Sequence, residues 1–140
     1  MRILVLDDIR FRHESFARLY DTDEVVHVYR YNAFLDMLAT CKWDLIHLDH
    51  DLGDFVDDAD TYVDGWGKTR EFNGQHAAMR ICEMEDDKLP GRVIIHSVNP
   101  EGARAMKSML ERRGVPVVWE PFGEFPDFDN DGNYIKGEPL

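Results

Sequence analysis

Three short runs hold the residues whose types and spacing can do chemistry. Asp7 and Asp8 stand together with Arg10 close behind; Asp49-His50-Asp51 forms a second acidic cluster; His96-Ser97-Val98-Asn99 forms a third, polar one. In an extended segment Asp49 and Asp51 point the same way and His50 the other. Asp7, Asp8, Asp49 and Asp51 together make a hard oxygen site suited to Mg²⁺ or Mn²⁺, with water and substrate phosphate as the remaining ligands. Several carboxylates gathered without a cation would instead be driven to protonate. A bland alternative for the same residues is a solvated acidic turn. A histidine at position 96 could act as general acid or base near neutral pH, and His50 is a second candidate, while Ser97 and Asn99 could hold phosphate oxygens. Equally, His96 could be satisfied in the sheet, and Asn99 could be the N-cap of the helix that Pro100 begins; for Asn99 the two readings coexist. Arg10 could lay its guanidinium fork on a phosphate or pair with Asp7.

The elements that must position these runs follow from an alternation of short apolar, mostly β-branched runs with helical periodicity, the pattern of a parallel sheet covered by helices on both faces. Strands are expected at 2–6, about 24–29, 44–48, 92–96 and 115–120. Helices are expected at about 10–20, with Phe11, Phe16 and Leu19 inward; from Asn32 as cap to about Thr40, with Phe34, Leu35 and Leu38 buried; and at about 74–85 and 101–113. Every conspicuous polar run then falls at a strand's carboxyl end, where open α/β sheets bind ligands. Residues 54–73 are polar and carry Gly65 and Gly67, which reads as a loop too long for an ordinary connection and suited to a lid or binding role. Trp66, Lys68, Arg70 and His76 could close there over a base and its phosphate. Residues 1–122 form one domain and 123–140 an irregular acidic tail, with no last long helix. That leaves apolar surface for the tail or a second copy of the chain, a homodimer, to cover.

Charge narrows the partners. The 140 residues carry 16 Lys plus Arg against 28 Asp plus Glu, a net charge of −12. Such a surface argues against binding long nucleic acid through its phosphates and leaves a small phosphorylated ligand, or one bridged by a metal, as the expected partner. No apolar run approaches the roughly 20 residues that cross a bilayer, so neither a membrane anchor nor a signal peptide is expected. Cys41 and Cys82 lack metal-ligand spacing and read as buried thiols, which fits a reducing cytoplasm. Asp127, Asp129, Asp131, Gly132 and Glu138 carry the spacing of a Ca²⁺-binding EF loop. Pro126 before it and only two residues after Glu138 leave no flanking helices, and a hairpin turn explains the glycine as well.

Asp7-Asp8, Asp49, Ser97 and Pro121-Phe122, each after a strand, together resemble a response-regulator receiver domain over about residues 1–122. A phosphoacceptor receiver carries a lysine immediately before that proline; here Glu120 takes the place, which disfavours ordinary phosphorelay through Asp49. More closely, Leu6-Asp7-Asp8-x-Arg10, the run Leu48 to Gly53, and His96-Ser97-x-Asn99-Pro100-x-Gly102 resemble the cyclic-phosphate-processing receiver-like family. That resemblance implies a flavodoxin-like, doubly wound five-stranded parallel sheet in order 2-1-3-4-5, with histidines added to a metal-binding rim. It further implies opening of 2′,3′-cyclic or related cyclic phosphates.

The function expected is therefore a metal-dependent phosphodiesterase or phosphatase acting on cyclic phosphates, small cyclic nucleotides or an RNA end. Asp49 and its neighbours would hold the ion, His96 or His50 would move protons, and Arg10, Ser97 and Asn99 would bind oxygens. The alternative is a non-catalytic receiver-like module that binds a nucleotide or a protein.

Overall fold

In the computed structural model, which describes residues 1–21, 23–50, 52, 61–97 and 99–120, strand β1 (Arg2–Leu6) and helix α1 (Arg10–Leu19) open the chain. They are followed by β2 (Glu24–Val28), α2 (Tyr31–Leu38) and β3 (Leu45–Leu48). After β4 (Thr61–Val63) and β5 (Thr69–Glu71) come α3 (Gly74–Cys82), β6 (Arg92–Ile95), α4 (Pro100–Arg113) and β7 (Val117–Trp119). The five-stranded sheet is parallel throughout and ordered β2-β1-β3-β6-β7, which in core-strand count is the expected 2-1-3-4-5. The fold is that of a flavodoxin-like receiver.

Period-two alternation assigns the two faces. Leu4, Leu6, Ile46, Leu48, Val93 and Ile95 turn toward α2, α3 and α4 and join the larger core with Phe34, Ile81 and Met106. Ile3, Val5, Leu45 and Ile94 turn toward α1 and pack on Phe16. β1 past Arg2 and all of β3 are buried, as strands covered on both faces must be, which is why they read as nearly unbroken apolar runs.

Several expectations need correction. The second half of the 54–73 segment is an antiparallel hairpin, β4 against β5, because Thr61, Tyr62, Val63 and Thr69 pair across a turn that Asp64 and Gly67 close. Asn32 is not a cap: α2 starts at Tyr31 after an extended Arg30, and Tyr31 is drawn inward by stacking on Phe72 at 4.3 Å. α3 ends at Cys82 rather than Glu85, and a 3₁₀ turn follows at Asp86–Lys88. Its start is fixed by a capping box between Asn73 and His76. Both cysteines are free and half-buried rather than buried. α4 runs as its signals dictate, from Asn99 as N-cap through Pro100 to a left-handed Gly114. The 123–140 tail, with Asp127, Asp129, Asp131 and Glu138, lies outside the described residues, as do Asp51, Pro121, Phe122 and residues 53–60. Among the described residues no helix is long and apolar enough to cross a membrane.

Candidate functional site

Parallel register builds the centre of the site. Leu6, Leu48 and Ile95 are partners across β1, β3 and β6. One residue further on, the ladder continues through the Asp49 N–H to the Leu6 carbonyl (3.0 Å) and the His96 N–H to the Leu48 carbonyl (2.9 Å). Asp7, Asp49 and His96 are thereby set side by side at the strands' carboxyl ends, on the face that α1 covers. Asp7 and His96 are fully buried and Asp49 is 4% exposed. One ligand atom from each lies within 4.8 Å of the other two. Asp8 is buried beside them.

These groups depend on one another. His96 Nε2 lies 2.7 Å from Asp7 Oδ2, and since a carboxylate only accepts, the neutral imidazole donates from Nε2. The Ile9 N–H donates to Asp7 Oδ1 at 2.8 Å. Burial works to raise the Asp7 carboxyl, but the hydrogen bond from His96, the Ile9 amide and Arg12 outweigh it and hold it below the usual carboxylate range. Burial lowers His96, against the opposing pull of Asp7. Asp49 goes the other way: burial first, then the charge of Asp7, with Asp8 adding to it, push its carboxyl up to about 8 despite Arg12. Two neighbouring buried carboxylates cannot both ionise without a cation.

One cation is already present. Arg12 Nη1 lies 3.4 Å from Asp7 Oδ2 and 3.3 Å from Asp49 Oδ2, bridging the pair. Arg10, the arginine singled out in the sequence, is exposed instead, and it is Arg12 that pairs with Asp7. The signal for Arg12 was in the helical period: Arg12, Phe16 and Leu19 fall at i, i+4 and i+7 and share the inner face. His13 also escaped the sequence reading. Buried, it sits with Nε2 2.7 Å from the Asp7 carbonyl oxygen and Nδ1 2.7 Å from His27 Nδ1.

The other side of the rim is built on two glycines. α3 begins against the strand end, where the Gly74 N–H donates to the His50 carbonyl at 2.8 Å and a Cβ on Gly74 would overlap the Asp49 backbone. α4 begins against the His50 ring, which fills the space a side chain on Gly102 would need. Asn99 Oδ1 accepts from the Gly102 N–H at 3.0 Å, and its Nδ2 donates to His50 Nδ1 over 3.4 Å. Ser97, fully buried, accepts from the Asn99 N–H at 3.0 Å through its hydroxyl, and its carbonyl accepts from the Trp119 indole at 2.8 Å. So His50, Ser97 and Asn99 come together on one side, and Asp7, Asp49 and His96 on the other. Glu120, at the end of β7, is exposed. In the hairpin Arg70 pairs with Asp64, and His76 is taken up by its capping box and by the rings of Tyr31, Tyr62 and Phe72, while Trp66 stands exposed.

The donor set, two carboxylates and an imidazole with a third carboxylate adjacent, fits a small divalent cation. The raised Asp49 states the same fit electrostatically: the cluster carries more negative charge than Arg12 alone neutralises.

The search of curated proteins returned no match. Among solved structures the chain is similar to a response regulator protein from Burkholderia pseudomallei with a phosphorylated aspartic acid, calcium ion and citrate. The similarity has a TM-score of 0.58 at 16% identity, and it covers 85% of this chain and 58% of that one. A likeness at that identity is one of fold, and this chain spans little more than half the length of that protein. The model of the family described as the cyclic-phosphate processing receiver domain matches residues 2–112. With most of its length, and every described residue of the buried cluster, inside that match, the chain belongs to the cyclic-phosphate-processing receiver domain family.

Proposed function

We propose that this chain is a metal-dependent hydrolase that opens small cyclic phosphates, with Asp7, Asp49 and His96 as the ligands of a Mg²⁺ or Mn²⁺ ion. The observation that carries the reading is the cross-strand row itself, whose three ligand atoms lie within 4.8 Å of one another in a buried setting. The response regulator of similar fold carries a calcium ion and a phosphorylated aspartic acid, which supports a divalent ion and a phosphoryl group as ligands here. Bound there, the ion would neutralise the phosphodiester and lower the pKa of a water.

The protein's own groups divide the rest. His96 has no exposed surface, and its Nε2 is taken up by Asp7 without the ion or, once deprotonated, by the ion itself, which leaves the half-buried His50 to face the ligand. Asn99 donates to His50 Nδ1, so the neutral ring carries its proton on Nε2 and can hydrogen-bond the leaving oxygen, which takes up the proton that the attacking water releases. The Ser97 hydroxyl, which accepts from Asn99, can donate its own proton to a non-bridging oxygen. The net charge of −12 favours a small nucleotide over a long strand. Arg12 on Asp49, with Glu120 where phosphoacceptor receivers carry lysine, argues against a phosphorelay role.

The test is product analysis with a panel of 2′,3′-cyclic nucleotides, small cyclic nucleotides and a short RNA ending in a 2′,3′-cyclic phosphate, with Mn²⁺, with Mg²⁺ and with chelator. Opening that requires the ion and disappears in Asp49→Asn is the expected result. Saturable binding with no product across the panel would overturn the enzyme and leave a nucleotide-binding module.

A further inference from the structure

Arg12 stands between the same two carboxylates that the divalent cation would use. Nη1 is within 3.4 Å of Asp7 Oδ2 and within 3.3 Å of Asp49 Oδ2, and the side chain is 15% exposed. A divalent cation bound to Asp7 and Asp49 repels a guanidinium at that distance and offers the carboxylates twice its charge. Both cannot hold the pair. Arg12 is on α1, reaches the site along a flexible stem, and ends in a planar fork that matches phosphate as well as carboxylate. The position where receivers carry a lysine has Glu120, so a cation for the phosphate has to come from another element.

We propose that Arg12 is a displaceable counter-ion: it bridges Asp7 and Asp49 when no metal is bound, and on metal binding is handed to the phosphate of the ligand. This rests on the metal site proposed above and adds a coupling to it. Ligand binding then favours metal binding, because the phosphate gives the released guanidinium a partner, and by linkage the metal favours the ligand.

The coupling makes two effects of opposite sign. Arg12→Gln, which removes the charge at similar length, should bind Mn²⁺ at least about tenfold more tightly than wild type in an EPR titration, since the competitor is gone. The same variant loaded with Mg²⁺ should bind inorganic phosphate at least about tenfold more weakly by calorimetry. Arg12→Lys, which keeps the charge, should stay within about threefold of wild type for Mn²⁺. In the wild-type protein the Arg12 Nε–H resonance should shift when Mg²⁺ is added, a measurement that needs no variant to fold. Unchanged or weaker Mn²⁺ binding by Arg12→Gln, tighter binding with undiminished phosphate affinity, or an unmoved Arg12 resonance would each overturn the proposal. An Asp49→Asn control that loses Mn²⁺ while wild type binds it shows that the metal site stands even if the coupling falls. If neither wild type nor Arg12→Gln binds Mn²⁺, the site and the coupling fall together.

Discussion

A Cβ on Gly102 would lie 2.5 Å from Cγ and 2.7 Å from Nε2 of His50, so the imidazole occupies the room of an absent side chain in the first turn of α4. Gly74 makes a similar close approach to backbone, where its Cβ would lie 2.9 Å from the His50 Cα and closer still to the Asp49 carbonyl. A ring can swing aside and a strand end cannot. Gly102→Ala should therefore cost little stability, about 1 kcal/mol, yet move His50 and lower turnover by about tenfold or more. Gly74→Ala should cost about 3 kcal/mol or more, because the helix must back away from the strand. Urea denaturation of both variants beside steady-state kinetics on Gly102→Ala separates the two; equal destabilisation would mean the ring is as fixed as the backbone.

Much of this arrangement was legible in the sequence, for physical reasons. Nearly apolar runs such as Leu45–Leu48, broken only by His47, read as central parallel strands when they alternate with helical stretches, and the polar residues that end them must collect at one rim. Alternation already separates Asp49 from His50, but which residues of the other strands stand beside each was not legible. The run Asp49-His50-Asp51 does not say that Asp49 will stand beside Asp7 and His96 while His50 crosses to α4; register and alternation decide that, and register is tertiary. Arg10 drew attention by its place in a motif, whereas Arg12 meets the carboxylates because helical geometry turns it inward with Phe16. The hairpin at 61–71 was hidden for a third reason: three-residue strands are too short to show a period.

Five of the six histidines, His13, His27, His47, His76 and His96, are held below the ordinary imidazole pKa, in each case with burial as the largest cause. The unfolded chain binds protons at those residues near pH 6.5 and the folded chain does not. Their stabilisation is therefore present above about pH 6.5 and lost as the pH falls through it, and the lowered Asp7 removes more in the carboxylate range. Asp49 has the opposite sign. Raised to about 8, it keeps a proton that the unfolded chain gives up near pH 4, so its contribution is lost as pH rises toward about 8. Without metal, stability should peak near about pH 7, and Asp49→Asn should abolish the decline on the alkaline side while leaving the acid limb intact. Denaturant midpoints from pH 5 to 8.5 in chelator provide the check. An alkaline decline that persists in Asp49→Asn would assign it to another group.

The same carboxyl sets the pH dependence of metal binding. An Asp49 that titrates at about 8 must release its proton before it can bind a divalent ion. Mn²⁺ affinity should therefore climb about tenfold per pH unit between about 6.5 and 8 and flatten above, with close to one proton released per ion at pH 7. Calorimetry in buffers of different ionisation enthalpy counts that proton directly. Affinity that does not change over this range would mean that Asp49 is already ionised before the metal arrives, which would place a stronger counter-charge beside it than Arg12.

Trp66 is 90% exposed on a turn that is otherwise held firmly. Asp64 accepts from the Trp66 N–H at 2.8 Å and the Lys68 N–H at 3.0 Å, its own N–H donates to the Lys68 carbonyl at 2.9 Å, and its carboxylate pairs with Arg70. Gly65 and Gly67 flank the indole, and at both there is open space where a Cβ would be. Nothing in the fold requires an exposed tryptophan between two glycines, while a nucleobase does need a bare aromatic face on a rigid support. Stacking of a base on an aromatic side chain contributes about 1–3 kcal/mol. Trp66→Ala should accordingly leave the melting temperature within about 2 °C of wild type and raise KM for a purine 2′,3′-cyclic nucleotide by about tenfold or more, with kcat little changed. Glycerol 1,2-cyclic phosphate, which has no base, should be processed equally by both proteins. Equal losses on the two substrates would show that the hairpin shapes the site as a whole, and no loss on either would place the base elsewhere on the rim.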